Sequence, residues 1–197
     1  MQRVLAVDSG PQRFGTAGET RLKVSLGLGQ HRIGTVGDEE WVMYGLGSCV
    51  GLILCDPVRR VSAAAHMVLP SGRGDQAGAE PGKYVETAVP YLLEQMEALG
   101  ARRKDVYAQA AGGARMLALG SLGDIGARNI EATRKVLAEL GIPLVAERLG
   151  GTHGRTLWWD LRTGRATVRR VGHPDEVITP REYWYGEVHV DGPRVGR

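Results

Sequence analysis

Apolar and polar positions follow two different periods along the chain, and each period predicts one kind of element. A continuous apolar run at 50–54 predicts a buried strand, and the alanine-rich segment 61–68 and the segment 106–111 predict two further core strands. Apolar side chains spaced three and four residues apart predict amphipathic helices over 83–99 and 126–140, each followed by a glycine that ends it. The middle of the chain therefore mixes both element types.

The second half of the chain continues with strands. The pattern predicts a strand over 144–149, a hairpin formed by 156–160 and 166–171, and a last strand over 187–191. Pro90 lies inside the first predicted helix, and an interior proline predicts a kink there or a later start. Because strands and helices are interleaved, we expect a mixed α/β domain with several antiparallel strand pairs.

The two ends of the chain lack a clear period. We expect a flexible N-terminal extension over residues 1–22, a single domain over 23–172, and a C-terminal extension over 173–197. The aromatic run 183–185 offers an alternative, in which the C-terminal segment folds back onto the domain. A glycine-rich loop over 71–82 either borders a cleft or serves as an ordinary surface connection.

Composition narrows the class of protein. The 197 residues are 43% hydrophobic and 24% charged, which is ordinary for one globular domain and excludes disorder as the main state. The 25 Lys and Arg residues are scattered among 22 Asp and Glu, so we expect solvated surfaces and no nucleic-acid partner. Without an apolar run of about 20 residues, or the apolar core of a signal peptide, we expect a cytoplasmic protein with no membrane insertion.

Candidate chemistry centres on the segment 45–49, which places two glycines just before Cys49. Such a turn presents the sulfur at a strand entrance and aims backbone N–H groups at a developing oxyanion. The thiolate is the reactive form, and a neighbouring histidine activates it. His66 ends the alanine-rich strand that follows, so we expect a fast-reacting Cys49 of low pKa beside it. Cys55, within an apolar run, is expected to be inert core.

Other interpretations of these residues remain open at this stage. A cysteine in an apolar run is commonly a small buried hydrophobe, and a histidine at a strand end is commonly structural. A metal or redox site formed by Cys49, Cys55 and His66 is disfavoured because the cysteine spacing does not fit the usual zinc motifs. Two cysteines also form no disulfide framework. We therefore expect neither a metal nor another cofactor.

Short blocks along the chain occur in the order found in one known family. The blocks are Gly45-Leu46-Gly47-Ser48-Cys49-Val50, Asp56-Pro57, Ala65-His66-Met67-Val68-Leu69-Pro70, Lys83-Tyr84, Gly112-Gly113-Ala114-Arg115-Met116-Leu117, Ile125-Gly126-Ala127-Arg128-Asn129, Gly141-Ile142-Pro143 and Gly150-Gly151-Thr152. Together they resemble the chemoreceptor glutamine deamidase family, CheD, of bacterial chemotaxis. The resemblance covers about residues 25–171 and leaves out both ends.

The resemblance implies a fold, an activity and partners. The fold would be a single-domain, mixed-sheet α/β sandwich similar to the cytotoxic-necrotizing-factor-type deamidases. The activity would be hydrolysis of chemoreceptor glutamine side chains to glutamate with release of ammonia, without a cofactor. The partners would be the cytoplasmic helices of chemoreceptors and a CheC-type chemotaxis phosphatase. A rival function is a weakly catalytic or non-catalytic module that regulates this phosphatase.

The resemblance also assigns roles to residues. Cys49 would be the nucleophile and His66 the general base and later the acid. The family has a threonine six positions before the cysteine, where this chain has Met43, and this departure favours the rival function. Ser48, Thr152 or a backbone carbonyl would then orient His66, with Ser48 and Thr152 also possible contributors to the oxyanion site.

Three further residues are candidates for substrate binding. They are Gly47, Gly113 and Asn129. The structural alternative for Gly113 is a tight turn at a strand end, and for Asn129 it is a side chain that holds a loop in place.

Overall fold

The computed structural model of the protein describes residues 12–14, 21–72, 80–115 and 124–185. Most of the predicted loop over 71–82 lies outside the described residues. The strand predicted over 187–191 lies wholly outside them.

The described chain forms eleven strands and two α-helices. The strands are β1 (Gln12–Phe14), β2 (Arg21–Ser25), β3 (His31–Thr35), β4 (Glu39–Leu46), β5 (Val50–Asp56), β6 (Val61–Met67), β7 (Tyr107–Gly112), β8 (Leu144–Leu149), β9 (Arg155–Asp160), β10 (Arg165–Arg170) and β11 (Glu176–Val177). The helices are α1 (Val85–Ala98) and α2 (Ile125–Glu139), and single 3-10 turns cover Arg103–Asp105 and Arg181–Tyr183.

The strands form two sheets, and both are mixed. The central sheet has the order β3-β6-β5-β7-β8, in which only the β7–β8 pair is parallel. The outer sheet has the order β1-β2-β4-β9-β10-β11, in which only the β2–β4 pair is parallel. The expected mixed α/β fold with antiparallel pairs is confirmed, including the hairpin of β9 and β10.

The central sheet is covered on both faces. One face packs against α1 and α2 through residues such as Leu52, Ala65 and Leu92. The other face packs against the outer sheet through residues such as Ile53 and Trp159. Because both faces are covered, every residue of β5 and β6 is buried, and their mostly apolar sequences without alternation are why the sequence predicts them as buried strands.

Helix α1 continues through Pro90 and begins at Val85, two residues after the predicted start at 83, so the structure shows the later start. Proline removes the hydrogen bond to the carbonyl four residues earlier, which here belongs to Glu86 in the first turn. Both residues are exposed, so water replaces that bond at little cost. Among the described helices, none has the length and apolar character that crossing a membrane requires.

The ends of the expected domain extend beyond 23 and 172. β2 begins at Arg21 and pairs with β1, so ordered pairing starts within the segment expected to be an extension. At the other end, Tyr185 is buried, and its hydroxyl lies 2.9 Å from Sγ of Cys55. The backbone N–H of Tyr185 also donates to the carbonyl of Thr163 at 3.0 Å. The segment from 173 to 185 therefore folds back onto the domain.

Candidate active site

The candidate nucleophile lies on a three-residue connection between the two sheets. β4 of the outer sheet ends at Leu46, and β5 of the central sheet begins at Val50. Just before the connection, Gly45 adopts a left-handed φ of 65°, and its carbonyl accepts the N–H of Gly47 at 2.8 Å. A residue with a Cβ is strained in this conformation, so glycine is needed for the turn that presents Cys49.

The end of β7 holds the backbone of this connection in place. The N–H of Gly113 donates to the carbonyl of Cys49 at 2.7 Å, and the N–H of Ala114 donates to that of Gly47 at 2.7 Å. A Cβ on Gly112 would lie 2.2 Å from the carbonyl oxygen of Cys49, so a larger residue cannot occupy that position. Gly113 adopts a left-handed φ of 65°, and a Cβ there would lie 2.5 Å from the side chain of Ile130, which supports the structural alternative for Gly113.

The third carbonyl of the connection is held by a side chain. Nδ2 of Asn129, a fully buried residue at the start of α2, donates to the carbonyl of Ser48 at 2.9 Å and to that of Val68 at 2.9 Å. Both N–H bonds of the amide are therefore used by backbone. Asn129 links the cysteine connection to the chain that leaves β6, as its structural alternative anticipated.

The strand register brings Cys49 and His66 to the same face of the central sheet. Gly51 is paired directly with His66, so Cys49 is the diagonal neighbour of the histidine. Side chains alternate along strands, and Ile53 and Ala64, two residues further along each strand, belong to the core between the sheets. Diagonal neighbours have Cβ atoms about 7 Å apart, within reach of an imidazole. The position that a Cβ on Gly51 would take lies 2.9 Å from the side chain of Leu46 and 3.2 Å from those of Leu157 and Met43, so side chains of the outer sheet fill that position.

A backbone carbonyl orients the histidine. Nδ1 of His66 lies 3.1 Å from the carbonyl oxygen of Leu26. A carbonyl only accepts hydrogen bonds, so Nδ1 carries the proton and Nε2 carries the lone pair. Leu26 is itself fixed, because its N–H donates to the carbonyl of Val42 at 2.8 Å. Nε2 of His66 is buried and has no hydrogen-bond partner among the described residues.

Burial keeps both groups of the pair neutral. It lowers the pKa of His66 from its ordinary value, which outweighs the opposite effect of the Leu26 carbonyl. It also raises the pKa of the Cys49 thiol, which outweighs the opposing effect of the cysteine's own backbone N–H. The low pKa expected for Cys49 is therefore wrong for the protein without substrate. Cys49 is buried with 9% of the residue exposed, whereas Cys55 is fully buried.

The second cysteine lies at the far end of β5. Six residues of extended strand separate Cys55 from Cys49, a distance of about 20 Å. The Sγ atom of Cys55 is buried beside the hydroxyl of Tyr185, and burial raises its pKa. The expectation that Cys55 is inert core is consistent with this environment. Because Cys55 lies this far from Cys49, the two cysteines and His66 cannot all bind one metal ion or form one redox site.

Three other residues from the sequence analysis, Ser48, Thr152 and Met43, lie in different surroundings. Ser48 lies on the connection beside the nucleophile, half-buried, where its backbone N–H belongs to the same turn. Thr152 is exposed on the loop between β8 and β9, and its hydroxyl lies 3.2 Å from Nδ1 of His153. Met43 is fully buried among the side chains between the sheets. Of the three groups considered for orienting His66, the structure has the backbone carbonyl.

Sequence reasoning did not identify Leu26 as the residue that supplies this carbonyl. A carbonyl is common to all residues, so no side chain marks it. The position of the Leu26 carbonyl depends on how the turn after β2 approaches the end of β6. There the N–H of Gly29 donates to the carbonyl of His66 at 2.9 Å.

The fold and site thus define an α/β domain of two mixed sheets that carries a neutral cysteine–histidine pair at the entrance of a central strand. The family described as CheD chemotactic sensory transduction matches residues 68–170. This match begins after Cys49 and His66.

Three relatives match this chain over more residues than the family match does. The probable chemoreceptor glutamine deamidase CheD of Symbiobacterium thermophilum is 49% identical over 160 residues, covering 78% of this chain and 96% of the relative. The chemoreceptor glutamine deamidases CheD of Halalkalibacterium halodurans and Thermotoga maritima are 44% and 38% identical. They cover 68% and 79% of this chain and 85% and 97% of their own. The chain belongs to the CheD family, and the resemblance in its short blocks is confirmed.

A solved structure, the Bacillus licheniformis hypothetical protein YfiH, also aligns with the fold. The alignment covers 62% of this chain and 49% of that one, at 16% identity and a TM-score of 0.37. This is too low a similarity to support any inference about fold or function.

Proposed function

We propose that the protein is a cysteine-dependent chemoreceptor glutamine deamidase, which hydrolyses glutamine side chains of its receptor to glutamate and releases ammonia. One observation carries the proposal. His66 is held as the tautomer with a free Nε2 lone pair, on the same sheet face as Cys49 and diagonal to it. The relatives described above are named chemoreceptor glutamine deamidases, one of them as probable, and these names supply the substrate class.

The first half of the reaction forms a thioester. Nε2 of His66 accepts the thiol proton while Sγ of Cys49 attacks the amide carbon of the glutamine. The carbonyl oxygen becomes an oxyanion, for which the backbone N–H groups of Ser48 and Cys49 are the candidate donors, since the N–H of Gly47 already donates to the carbonyl of Gly45. The imidazolium of His66 then gives its proton to the nitrogen, the carbon–nitrogen bond breaks, and ammonia leaves.

The second half of the reaction releases the product. Nε2 of His66 accepts a proton from water as the water oxygen attacks the thioester carbon. The carbon–sulfur bond breaks, the thiolate of Cys49 takes the proton back from His66, and the substrate residue leaves as glutamate. His66 is the base in both halves, while Cys49 is the nucleophile in the first half and water in the second. These steps need no cofactor.

The electrostatics favour proton transfer during attack over a thiolate formed beforehand. A raised thiol pKa and a lowered imidazole pKa both oppose a resting thiolate–imidazolium pair. The backbone of the connection is rigid because its three carbonyls are all hydrogen-bonded. The protein therefore holds the reacting groups in place before substrate arrives, which lowers the entropic cost of attack.

The rival function, a module that only regulates a CheC-type phosphatase, loses its main argument. That argument was Met43 in place of the family threonine, and here the carbonyl of Leu26 already orients His66. Binding of a CheC-type phosphatase, a cytoplasmic location and a likeness to cytotoxic-necrotizing-factor-type deamidases stay predictions.

The direct test measures ammonia released from a purified receptor cytoplasmic domain. We expect release by the wild type and none by Cys49→Ala, with mass spectrometry finding glutamine converted to glutamate. Cys55→Ala is the matched control, because it removes the other thiol far from the site and should keep turnover while losing about 1 kcal/mol of stability. Equal release by Cys49→Ala would show that the nucleophile is another group.

A further inference from the structure

A cleft of about 400 Å³ lies at one end of the molecule, where the edge of the central sheet meets the outer sheet. Three arginine side chains line it: Arg148 from β8, Arg155 from β9 and Arg170 from β10. We call it the arginine cleft. Its volume falls in the range of sites that hold small ligands or single side chains.

Two carboxylates also border the arginine cleft, and both are already occupied. Glu176 forms a two-point ion pair with Arg148, in which one hydrogen bond joins Nε to Oε2 at 2.9 Å. Asp175 pairs with Arg169, whose Nε lies 2.5 Å from Oδ1. These carboxylates therefore leave the other two arginines of the cleft without a partner of opposite charge.

Arg155 and Arg170 have no carboxylate partner among the described residues. Nη1 of Arg155 makes two long contacts, each of 3.4 Å, to the carbonyls of Gly112 and His153. Nη2 of Arg170 lies 2.9 Å from Nδ1 of His173. Burial, followed by the charges of Arg170 and Arg148, lowers the pKa of Arg155. Like charges are thus crowded around a partly desolvated guanidinium, and a bound anion would relieve both effects.

The arginine cleft adjoins the candidate active site. Arg155 pairs in register with Leu46, three residues before Cys49. The carbonyl that Arg155 contacts belongs to Gly112, which pairs with Val50, the residue after Cys49. A chain segment that places one side chain at Cys49 would carry its neighbouring side chains past this cleft.

We propose that the arginine cleft binds a carboxylate of the receptor segment that carries the target glutamine, with Arg155 and Arg170 as its ligands. The inference rests on the proposed function, because that function makes a protein segment the substrate. The planar fork of an arginine matches a carboxylate with two parallel hydrogen bonds. A carboxylate on the substrate is favoured over free phosphate because the cleft adjoins the nucleophile. Arg155 is paired with Leu46 and contacts the carbonyl of Gly112, and both of these residues flank the cysteine connection.

The test measures affinity, which does not depend on turnover. The purified receptor cytoplasmic domain, labelled with a fluorophore, is titrated with wild type, Arg155→Gln, Arg170→Gln and the control Arg103→Gln. Arg103 is an exposed arginine on the 3-10 turn after α1, paired with Glu97, and its loss changes the net charge equally. Arg170→Gln covers the case that Arg155→Gln disturbs the backbone at Gly112. Denaturant unfolding confirms that each variant is folded.

We expect about tenfold weaker binding for Arg155→Gln or Arg170→Gln, the effect typical of one lost charge-assisted hydrogen bond, and no change for Arg103→Gln. Replacing receptor carboxylates near the mapped glutamine by alanine should weaken wild type to the same degree and leave the cleft variants unaffected. Unchanged affinity in both cleft variants overturns the inference, even if ammonia is released. A cleft that binds inorganic phosphate at constant ionic strength, with receptor affinity unaltered by either variant, overturns it as well. Affinity lost in the variants without ammonia release by wild type supports the cleft and rejects the deamidase.

Discussion

Nδ1 of His66 lies 3.1 Å from the carbonyl oxygen of Leu26, forty positions earlier in the chain. This hydrogen bond sets the tautomer of the imidazole and leaves the lone pair of Nε2 as the acceptor. A carbonyl carries no negative charge, so it raises the pKa of the ring less than a carboxylate would, and burial outweighs this effect. The pair therefore rests in the neutral state, and its reactivity depends on when the proton moves.

The pH dependence of turnover should reflect this neutral histidine. The base form of His66 is needed, and a lowered pKa means that it persists to lower pH than in a free histidine. The acid side of the kcat/KM profile should fall with a midpoint below 6.5, the ordinary value. A midpoint above 6.5 would mean that a negative group stabilises the imidazolium. The measurement is ammonia release across pH at substrate concentrations well under KM.

The thiol of Cys49 should alkylate slowly at neutral pH without substrate. Because its pKa is raised, the thiol is half ionised only at a pH above the ordinary value of 9.0, so little reactive thiolate is present at neutral pH. Iodoacetamide labelling across pH in a Cys55→Ala background reports this thiol alone. Rapid labelling at pH 7 would establish a resting thiolate and reject proton transfer during attack.

Replacing Met43 should affect stability and leave catalysis intact. Met43 is fully buried, and its sulfur lies 3.2 Å from the position a Cβ on Gly51 would take. Met43→Ala leaves a cavity and should lower the free energy of unfolding by about 3 kcal/mol. Because Leu26 holds His66, kcat of the folded variant should equal that of wild type. Turnover and urea unfolding are compared at a temperature where both proteins are folded, and a lost kcat there would make Met43 part of the site.

Replacing Asn129 should affect both properties. Asn129→Ala leaves the carbonyls of Ser48 and Val68 without their donor, which should cost about 2 kcal/mol of stability. The freed connection also loses its fixed orientation, so kcat should fall more than KM changes. Urea unfolding and steady-state kinetics measure the two effects.

Thr133→Val is the matched control for Asn129, one turn further along α2. The Thr133 hydroxyl donates to the carbonyl of Asn129 at 2.7 Å and has no bond to the cysteine connection. Its loss should reduce stability and leave kcat unchanged. Equal losses of kcat in both variants would indicate a general effect of α2 on the site.

Much of the fold could be predicted from local pattern. The bounds predicted for β8 agree with the structure, and those of β5, β6, β7, α1 and α2 are within two residues at each end. These elements bury continuous runs or single stripes, which are properties of neighbouring residues. How helix α1 accommodates Pro90 and whether the segment ending at Tyr185 docks depend on solvent exposure and distant partners, so local pattern left both open.

The candidate pair could be identified from the sequence, because the glycines before Cys49 and the alanines before His66 are local features of the chain. Only the tertiary structure decided how the pair is held and charged. The carbonyl of Leu26, the amide of Asn129 and the crowding around Arg155 each arise where segments far apart in the chain meet. Backbone carbonyls carry no signature in the sequence, and burial is a property of the packed chain, so pKa shifts follow from the fold.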